Sequence, residues 1–179
     1  TDNRRQRQMC IRDRYLISSG HKKISYIAGW EGASTQRDRE TGFRFLLNEA
    51  GMNLHSRRIG NFVLEEARQA AKSMFSNKPP DAVFVANDHM ALAVMDTLRY
   101  ELGLKIPDDV SIVGYDDVPA ASWPSYLLTT VQQPVNIMVR ETVEILIEKI
   151  DNAHARPQKI KIDGPLILRN STKTQKGYL

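Results

Sequence analysis

An apolar strand that leads directly into a helix is encoded in residues 80–94, PDAVFVANDHMALAV. The run from Asp81 to Ala86 is almost entirely apolar, a pattern typical of a strand that is covered on both faces. The helix is predicted from about Asp88 to Glu101. Asn87 stands between the two elements, just beyond the end of the strand. Because parallel α/β sheets bind ligands beyond the carboxyl ends of their strands, a binding site is expected here.

Three other segments are also predicted to be strands, namely Lys23–Ala28, a short one at Leu54–Ile59 and the apolar Val110–Gly114. The last of them leads into two acidic residues, Asp116 and Asp117. Strands that alternate with helical patterns predict an α/β protein, with a parallel sheet flanked by helices and with right-handed crossovers.

The helical patterns have recognisable boundaries. The first long helix is predicted to extend through Ala50, with Ser34 or Thr35 as its N-terminal cap. Residues 118–126 include two prolines and are predicted to form a surface loop. The strongest amphipathic pattern of the chain covers residues 134–151 and begins at a proline, which is favoured in a first helical turn.

Extended segments flank this amphipathic helix. Residues 127–132 before it are predicted to be a strand. After it, residues 158–162 and 165–168 are separated by Asp163 and Gly164, and this pattern predicts a short antiparallel hairpin.

The composition is that of a globular protein, with 41% apolar and 26% charged residues in a chain of 179. The net charge of +4 is unevenly distributed. Residues 1–23 carry seven basic and two acidic residues, a net +5, so the remainder of the chain sums to −1. We therefore expect no basic surface of the kind that binds nucleic acid on the folded body.

The single cysteine, Cys10, cannot form a disulfide within the chain and is interpreted as an incidental thiol. No segment has the length and apolarity of a membrane span, and no signal-sequence pattern opens the chain. These features favour a cytoplasmic protein without a membrane partner.

Several polar residues have the chemistry of a small-ligand site. The amide of Asn87 offers a donor and an acceptor, which suits a sugar hydroxyl, whereas Asp88 is equally well explained as a helix cap. Asp116 and Asp117 point to opposite faces if both lie in a strand, so one of them reaching a ligand is favoured over a catalytic pair. Arg39 is a candidate for forked hydrogen bonds to hydroxyls or to a carboxylate.

Other candidate chemistry is weaker. Phe62 fits either the core or a platform on which a sugar ring stacks. The four histidines are widely spaced and have no partner at metal-binding spacing. Phosphate-binding loops, nucleophile elbows and zinc-protease motifs do not occur in the sequence. The sequence thus predicts no metal, no cofactor and no enzymatic activity.

Five blocks of sequence occur in the order and at the spacing of one protein family. They are LISSGHKKI at 16–24, RDRETGF at 37–43, VANDHMA at 85–91, IPDDVSIVGYDD at 106–117 and LTTV at 128–131. From about Leu16 onward, the chain resembles the effector-binding core of LacI/GalR transcriptional regulators.

This resemblance implies a periplasmic-binding-protein-like fold of two α/β lobes, of which the chain contains mainly the C-terminal lobe. Residues 1–133 are assigned to that lobe, although residues 1–15 depart from the family pattern. Residues 134–155 are assigned to a helix of the N-terminal lobe, and residues 156–179 to the return into the C-terminal lobe and a tail. We expect most of the N-terminal lobe and the helix-turn-helix to lie outside this chain.

Six residues match family positions that face the effector, Thr35 being the weaker candidate. They are Thr35, Arg39, Phe62, Asn87, Asp116 and Gln133. The implied function is effector sensing, in which a small sugar or related metabolite binds in the cleft between the lobes and controls operator binding allosterically. The resemblance also implies a homodimer that binds operator DNA only through its helix-turn-helix.

Two other functions remain open for these residues. One is a free-standing sugar-binding protein of a transport system, and a less favoured one is a sugar hydrolase that uses Asp116. The effector class is also open, since purines, pentoses, hexoses and disaccharides all fit.

Overall fold

A computed structural model describes residues 15–152, 154, 156–158, 160, 162 and 164–173, so the interpretations of residues 1–14, including Cys10, lie outside the described residues. The described strands are β1 (Ile24–Ala28), β2 (Arg57–Ile59), β3 (Ala82–Val85), β4 (Ser111–Asp116), β5 (Thr129–Gln132) and β6 (Leu166–Ile167). They form one sheet in the order β2-β1-β3-β4-β5-β6. Neighbouring strands from β2 to β5 are parallel, and β6 is antiparallel to β5. The predicted α/β fold with a mainly parallel sheet is confirmed.

The longer helices of the described region are α1 (Ser34–Glu49), α2 (Leu64–Phe75), α3 (Asp88–Asp96) and α4 (Val135–Asp151). A π-helical segment, Thr97–Glu101, continues α3 to the predicted end of that helix. A short 3-10 helix, Pro119–Ser122, lies within the predicted surface loop.

The start of α1 differs from the prediction. Ala33 occupies the N-cap position and no side chain caps the helix, so the prediction of a Ser34 or Thr35 cap is wrong. The physical reason lies in the preceding loop, where the backbone N–H of Ala33 donates to Trp30 and closes a turn. The exposed Arg37 also donates from Nη1 to two carbonyl groups of this loop, at 3.2 and 3.0 Å.

The predicted hairpin of residues 158–162 and 165–168 is also wrong. Residues 158, 160 and 162, which are the described part of its first strand, belong to no strand. Instead, β6 pairs with β5. The free edge of β5 offers unpaired backbone groups, and the backbone N–H of Gln132 there donates to the carbonyl of Pro165 at 2.8 Å.

The centre of the sheet is fully buried. Every residue of β1 and β3 is buried, as expected for strands covered on both faces. The rings of Tyr26, Phe43 and Phe84 pack together with centroids 5.0–5.7 Å apart. The hydroxyl of Tyr26 donates to Gln36 Oε1 at 3.3 Å, so its polar end is satisfied inside the core. This cluster fixes α1 against the sheet.

α4 is an exception to this burial. The predicted amphipathic helix is present, but none of its residues is buried. Its exposed apolar side chains include Val139, Leu146 and Ile150. Contiguous apolar surface of this kind marks an interaction face rather than a solvated one.

A buried carboxylate ties three segments together at the carboxyl edge of the sheet. Asp88, in the first turn of α3, is fully buried. Its Oδ1 accepts from Thr130 Oγ1 of β5 at 2.6 Å, and its Oδ2 accepts from the backbone N–H of Val118, beyond β4, at 2.9 Å. The cap of α3 is Asn87, so the interpretation of Asp88 as the capping residue is wrong.

Burial raises the pKa of Asp88 above its ordinary value, although the hydrogen bonds from Thr130 and Val118 oppose this effect. Because the folded state favours the protonated form, the contribution of Asp88 to stability is complete below its unfolded pKa. That contribution is lost as the pH rises through the folded pKa.

We therefore expect Asp88→Asn to remove a pH dependence. The amide can accept from Val118 and donate to Thr130, but it cannot ionise. As the pH rises from about 4 toward neutrality, the free energy of unfolding of the variant should increase relative to that of the wild type. Urea unfolding at a series of pH values measures this difference, and a difference that is constant with pH would contradict the prediction.

Close approach to Asp88 requires glycine at position 114. A Cβ atom at Gly114 would lie 2.1 Å from Asp88 Oδ1 and 2.9 Å from Leu128 Cδ2. Because hydrogen bonds hold the carboxylate in place, we expect Gly114→Ala to lower the free energy of unfolding by about 1–3 kcal/mol. Gly42→Ala, inside α1 with no neighbouring atom within 4 Å, is the control and should raise it by about 0.5–1 kcal/mol. Equal effects in urea unfolding would disprove the steric argument.

Candidate functional site

The carboxyl ends of the central strands bring candidate side chains to one edge of the sheet. β4 ends at Asp116, which is paired in register with Gln132 at the end of β5. Asn87 follows β3 and is the N-cap of α3. This is the edge at which open α/β sheets bind ligands.

A three-residue cluster forms around Asp116. Its Oδ1 accepts from Arg39 Nη2 at 3.0 Å and also from Gln133 Nε2. The side chains of Arg39 and Asp116 are 13% and 22% exposed, so the pair is shielded but still reaches solvent. Asp116 Oδ2 has no hydrogen bond to any other described residue, which leaves an acceptor for a ligand. Three of the six predicted site residues are thus in direct contact.

Arg39 donates two hydrogen bonds, and both go to protein groups, whereas the predicted fork to ligand hydroxyls or a ligand carboxylate stays a prediction. Nη2 binds the Asp116 carboxylate, and Nη1 donates to the carbonyl of Ala86 at 2.6 Å. The guanidinium also lies over the ring of Tyr115, 4.1 Å from its centroid. The side chain of Arg39 therefore links α1 to the ends of β3 and β4.

The backbone after β4 is in an unusual conformation. Asp116 has a φ of 124° and Asp117 a φ of 58°, values that favour glycine. Such conformations cost roughly 1–3 kcal/mol each and persist where surrounding contacts impose them. The two carboxylates have separate partners, because Asp117 accepts from Arg169 and Gln132, at 2.7 and 2.8 Å. The two adjacent carboxylates therefore bind different protein groups.

Asn87 combines a structural bond with a free donor. Its Oδ1 accepts from the backbone N–H of Met90 at 3.0 Å, which caps α3. Its Nδ2 has no hydrogen bond to any other described residue, and the side chain is half-buried. The cap holds the amide in one orientation, with the donor available.

Phe62 lies between β2 and α2, on backbone with a φ of 61°. Its ring is pressed against Gly29, where a Cβ atom would be 2.0 Å from Cζ. The half-buried ring also packs against the hydrophobic core. Phe62 thus packs against the core, with part of the residue still exposed. Thr35 is exposed on the first turn of α1 and makes no hydrogen bond to that cluster.

Sequence reasoning missed several residues that shape the site. Tyr115 supplies the face under Arg39, and its position next to Asp116 was a usable signal. Asp88 and Arg169 were not identifiable, because their partners Thr130 and Asp117 are 42 and 52 residues away along the chain. Contacts of this range leave no local sequence pattern.

Among the residues that the structure describes, no group of three or more His, Cys, Asp or Glu side chains is arranged to hold a metal ion. None of the described helices combines the length and apolarity needed to cross a bilayer.

Known proteins share both the sequence and the fold. The family model for the periplasmic binding protein-like domain matches residues 14–172. The HTH-type transcriptional repressor PurR of Photobacterium profundum is 33% identical over 166 residues, which are 91% of this chain and 49% of the relative. PurR of Vibrio vulnificus is 36% identical over 163 residues, 89% of this chain and 48% of the relative. The chain therefore spans about half the length of the curated relatives it matches.

Solved structures agree with this relationship. A complex of the transcriptional regulator CelR with cellobiose has a TM-score of 0.84 at 32% identity, over 92% of this chain and 51% of that one. The Lac repressor bound to ONPG has a TM-score of 0.84 at 27% identity, over 92% and 50%. The chain thus belongs to the periplasmic-binding-protein-like domain family, in the form that LacI/GalR-type transcriptional regulators use as their effector-binding core.

Proposed function

We propose that this chain is the effector-sensing part of a LacI/GalR-type DNA-binding regulator. It binds a small sugar or a related metabolite at the carboxyl edge of the sheet, and this binding controls operator affinity in the complete protein. The relatives it matches are transcriptional repressors. The observation that carries the proposal is the free Oδ2 of Asp116, held in place by Arg39 and Gln133.

The chemistry of this edge suits a polyol. A carboxylate oxygen accepts strongly from a hydroxyl, and the Nδ2 of Asn87 can donate to the oxygen of another. Asp116 ends β4 and Asn87 follows the neighbouring strand β3, so an acceptor and a donor belong to the same edge of the sheet. Neighbouring hydroxyls of a sugar, or the polar edge of a purine, present this pattern of groups. The cellobiose bound by CelR favours the sugar class.

We further propose that the ligand is enclosed by a second lobe. Residues 1–133 belong to the C-terminal lobe, residues 134–155 to a helix of the N-terminal lobe, and residues 156–179 to the return and the tail. The support is the exposed apolar face of α4, which needs a covering surface. In this assignment Phe62 and Thr35 face the cleft from the same lobe as Asp116.

The complete protein is proposed to act as a homodimer that binds operator DNA through a helix-turn-helix, without cofactor, metal or catalysis. A protein with this role works in the cytoplasm, where the DNA is. The relatives favour a regulator over a free-standing transport protein. A hydrolase is disfavoured because the two adjacent carboxylates, Asp116 and Asp117, are each bound to a different arginine.

We expect Asp116→Ala and Asn87→Ala each to weaken effector binding by about 1–3 kcal/mol, since each leaves a polar ligand group unpaired. The complete protein is first screened by thermal shift with cellobiose, glucose, ribose and adenine. Calorimetry with the tightest binder then measures the loss in each variant.

Asp38→Ala is the matched control. Asp38 lies on α1 beside Arg39, but it is exposed, and its side chain has no hydrogen bond or ion pair with another described residue. Its removal should leave the affinity unchanged. An Asp116→Ala protein that binds as tightly as the wild type would remove Asp116 from the site.

A further inference from the structure

A second polar cluster lies directly beside Asp116. Asp117 Oδ1 accepts from Arg169 Nη2 at 2.7 Å, and Oδ2 accepts from Gln132 Nε2 at 2.8 Å. The two aspartates therefore have parallel arrangements. Each carboxylate receives one arginine and one glutamine, and the two glutamines are also adjacent in sequence.

The carboxylate of the second cluster is the more buried of the two aspartates, with Asp117 11% and Asp116 22% exposed. The side chains of Asp117 and Arg169 are 11% and 16% exposed, and both oxygens of Asp117 are already bound. Both oxygens of Asp117 thus bind protein groups, whereas Asp116 uses only Oδ1 for bonds to the described residues. This arrangement holds a backbone in place rather than receiving a ligand.

Arg169 is itself fixed to the sheet. Its Nη1 donates to the carbonyl of Leu128 at 2.8 Å, and its backbone N–H donates to Thr129 Oγ1 at 2.9 Å. The Arg169 guanidinium therefore connects the start of β5 to the turn after β4. That turn contains the positive φ angles of Asp116 and Asp117, which need outside contacts to persist.

The same cluster holds both chain connections to α4. Gln132 and Gln133 precede that helix, and Arg169 follows the segment that returns from it. The returning segment packs closely on the outgoing one, because a Cβ atom at Gly164 would lie 1.7 Å from the carbonyl oxygen of Gln132. A shift in either connection would therefore act on the turn that carries Asp116.

We propose that Asp117 and Arg169 form a positioning pair for effector binding. The ion pair holds the turn after β4 so that the free oxygen of Asp116 faces the ligand, and it fastens this turn to both connections of α4. The pair does not touch the ligand. This inference rests on the proposed function of Asp116 as a ligand contact.

A double-mutant cycle on the complete protein tests the pair. The variants are Asp117→Ala, Arg169→Ala and the double substitution, and the probe is the tightest binder among cellobiose, glucose, ribose and adenine. We expect each single variant to bind about tenfold more weakly and the double variant to bind no more weakly than either single one, because the two residues act as a unit.

Asp117→Asn tests the pair in case the alanine variants do not fold. The amide keeps the size and one acceptor oxygen, so this variant should fold and show an intermediate loss of affinity. Urea unfolding of every variant separates affinity from stability. The control is Glu101→Ala. The Glu101 carboxylate accepts from Arg68 Nη2 at 2.7 Å, the same distance as in the Asp117–Arg169 pair, but these two residues lie at the end of α3 and on α2. This variant should leave affinity unchanged, whatever its effect on unfolding.

The outcomes separate the two proposals. If wild type and Asp117→Ala bind the probe equally while Asp116→Ala binds weakly, the positioning pair is wrong and the proposed function stands. Losses that simply add in the double variant also overturn the pair. If the wild type binds none of the four compounds at millimolar concentration, the proposed function fails and the positioning role fails with it.

Discussion

The hydrogen bonds of the buried carboxylate of Asp88 hold together the edge of the sheet on which the site is built. Its two oxygens bind Thr130 on β5 and the backbone beyond β4, while its own backbone begins α3. A carboxylate removed from water is costly unless it is hydrogen-bonded, so these contacts are needed once Asp88 is placed there. Gly114 is the complementary constraint, because any side chain at that position would enter the space of the carboxylate.

The conformation of the turn that follows β4 depends on this arrangement. Val118 is held by Asp88, Asp117 by Arg169, and Asp116 by Arg39 and Gln133. Three consecutive residues are thus fixed by groups from separate parts of the chain. A backbone with two successive positive φ angles is unfavourable in isolation, and here the tertiary contacts offset that cost.

Much of the fold was predictable because it depends on local pattern. Continuous apolar strands such as Asp81–Ala86 and helices that end at glycine carry their signals within a few residues. The cap of α3 was harder, because Asn87 and Asp88 have the same capping preference and Thr130 decides which of them is buried. The pairing of β6 with β5 depends equally on an edge that only the assembled sheet presents.

The site was predictable in a different way. Arg39, Asp116 and Gln133 were predicted as candidates from their match to family positions, Asp116 also from its place near a strand end, and the structure places the three in contact. Phe62 matches the same kind of position, yet its ring is used to fill the space over Gly29. Resemblance to a family predicts which positions match those of its site, whereas the contacts of each side chain depend on the residues around it.

In the candidate site, Asp116 and Asn87 each use one side-chain atom for hydrogen bonds within the protein. Asp116 uses Oδ1 for protein contacts and Asn87 uses Oδ1 for its helix cap, while Asp116 Oδ2 and Asn87 Nδ2 bind no other residue that the structure describes. The hydrogen bonds that hold each side chain in place therefore also orient its second polar atom. A ligand that meets these atoms has little side-chain entropy to overcome, since both rotamers are already fixed. Its affinity then depends on how well its hydroxyl spacing matches two atoms held by adjacent strands.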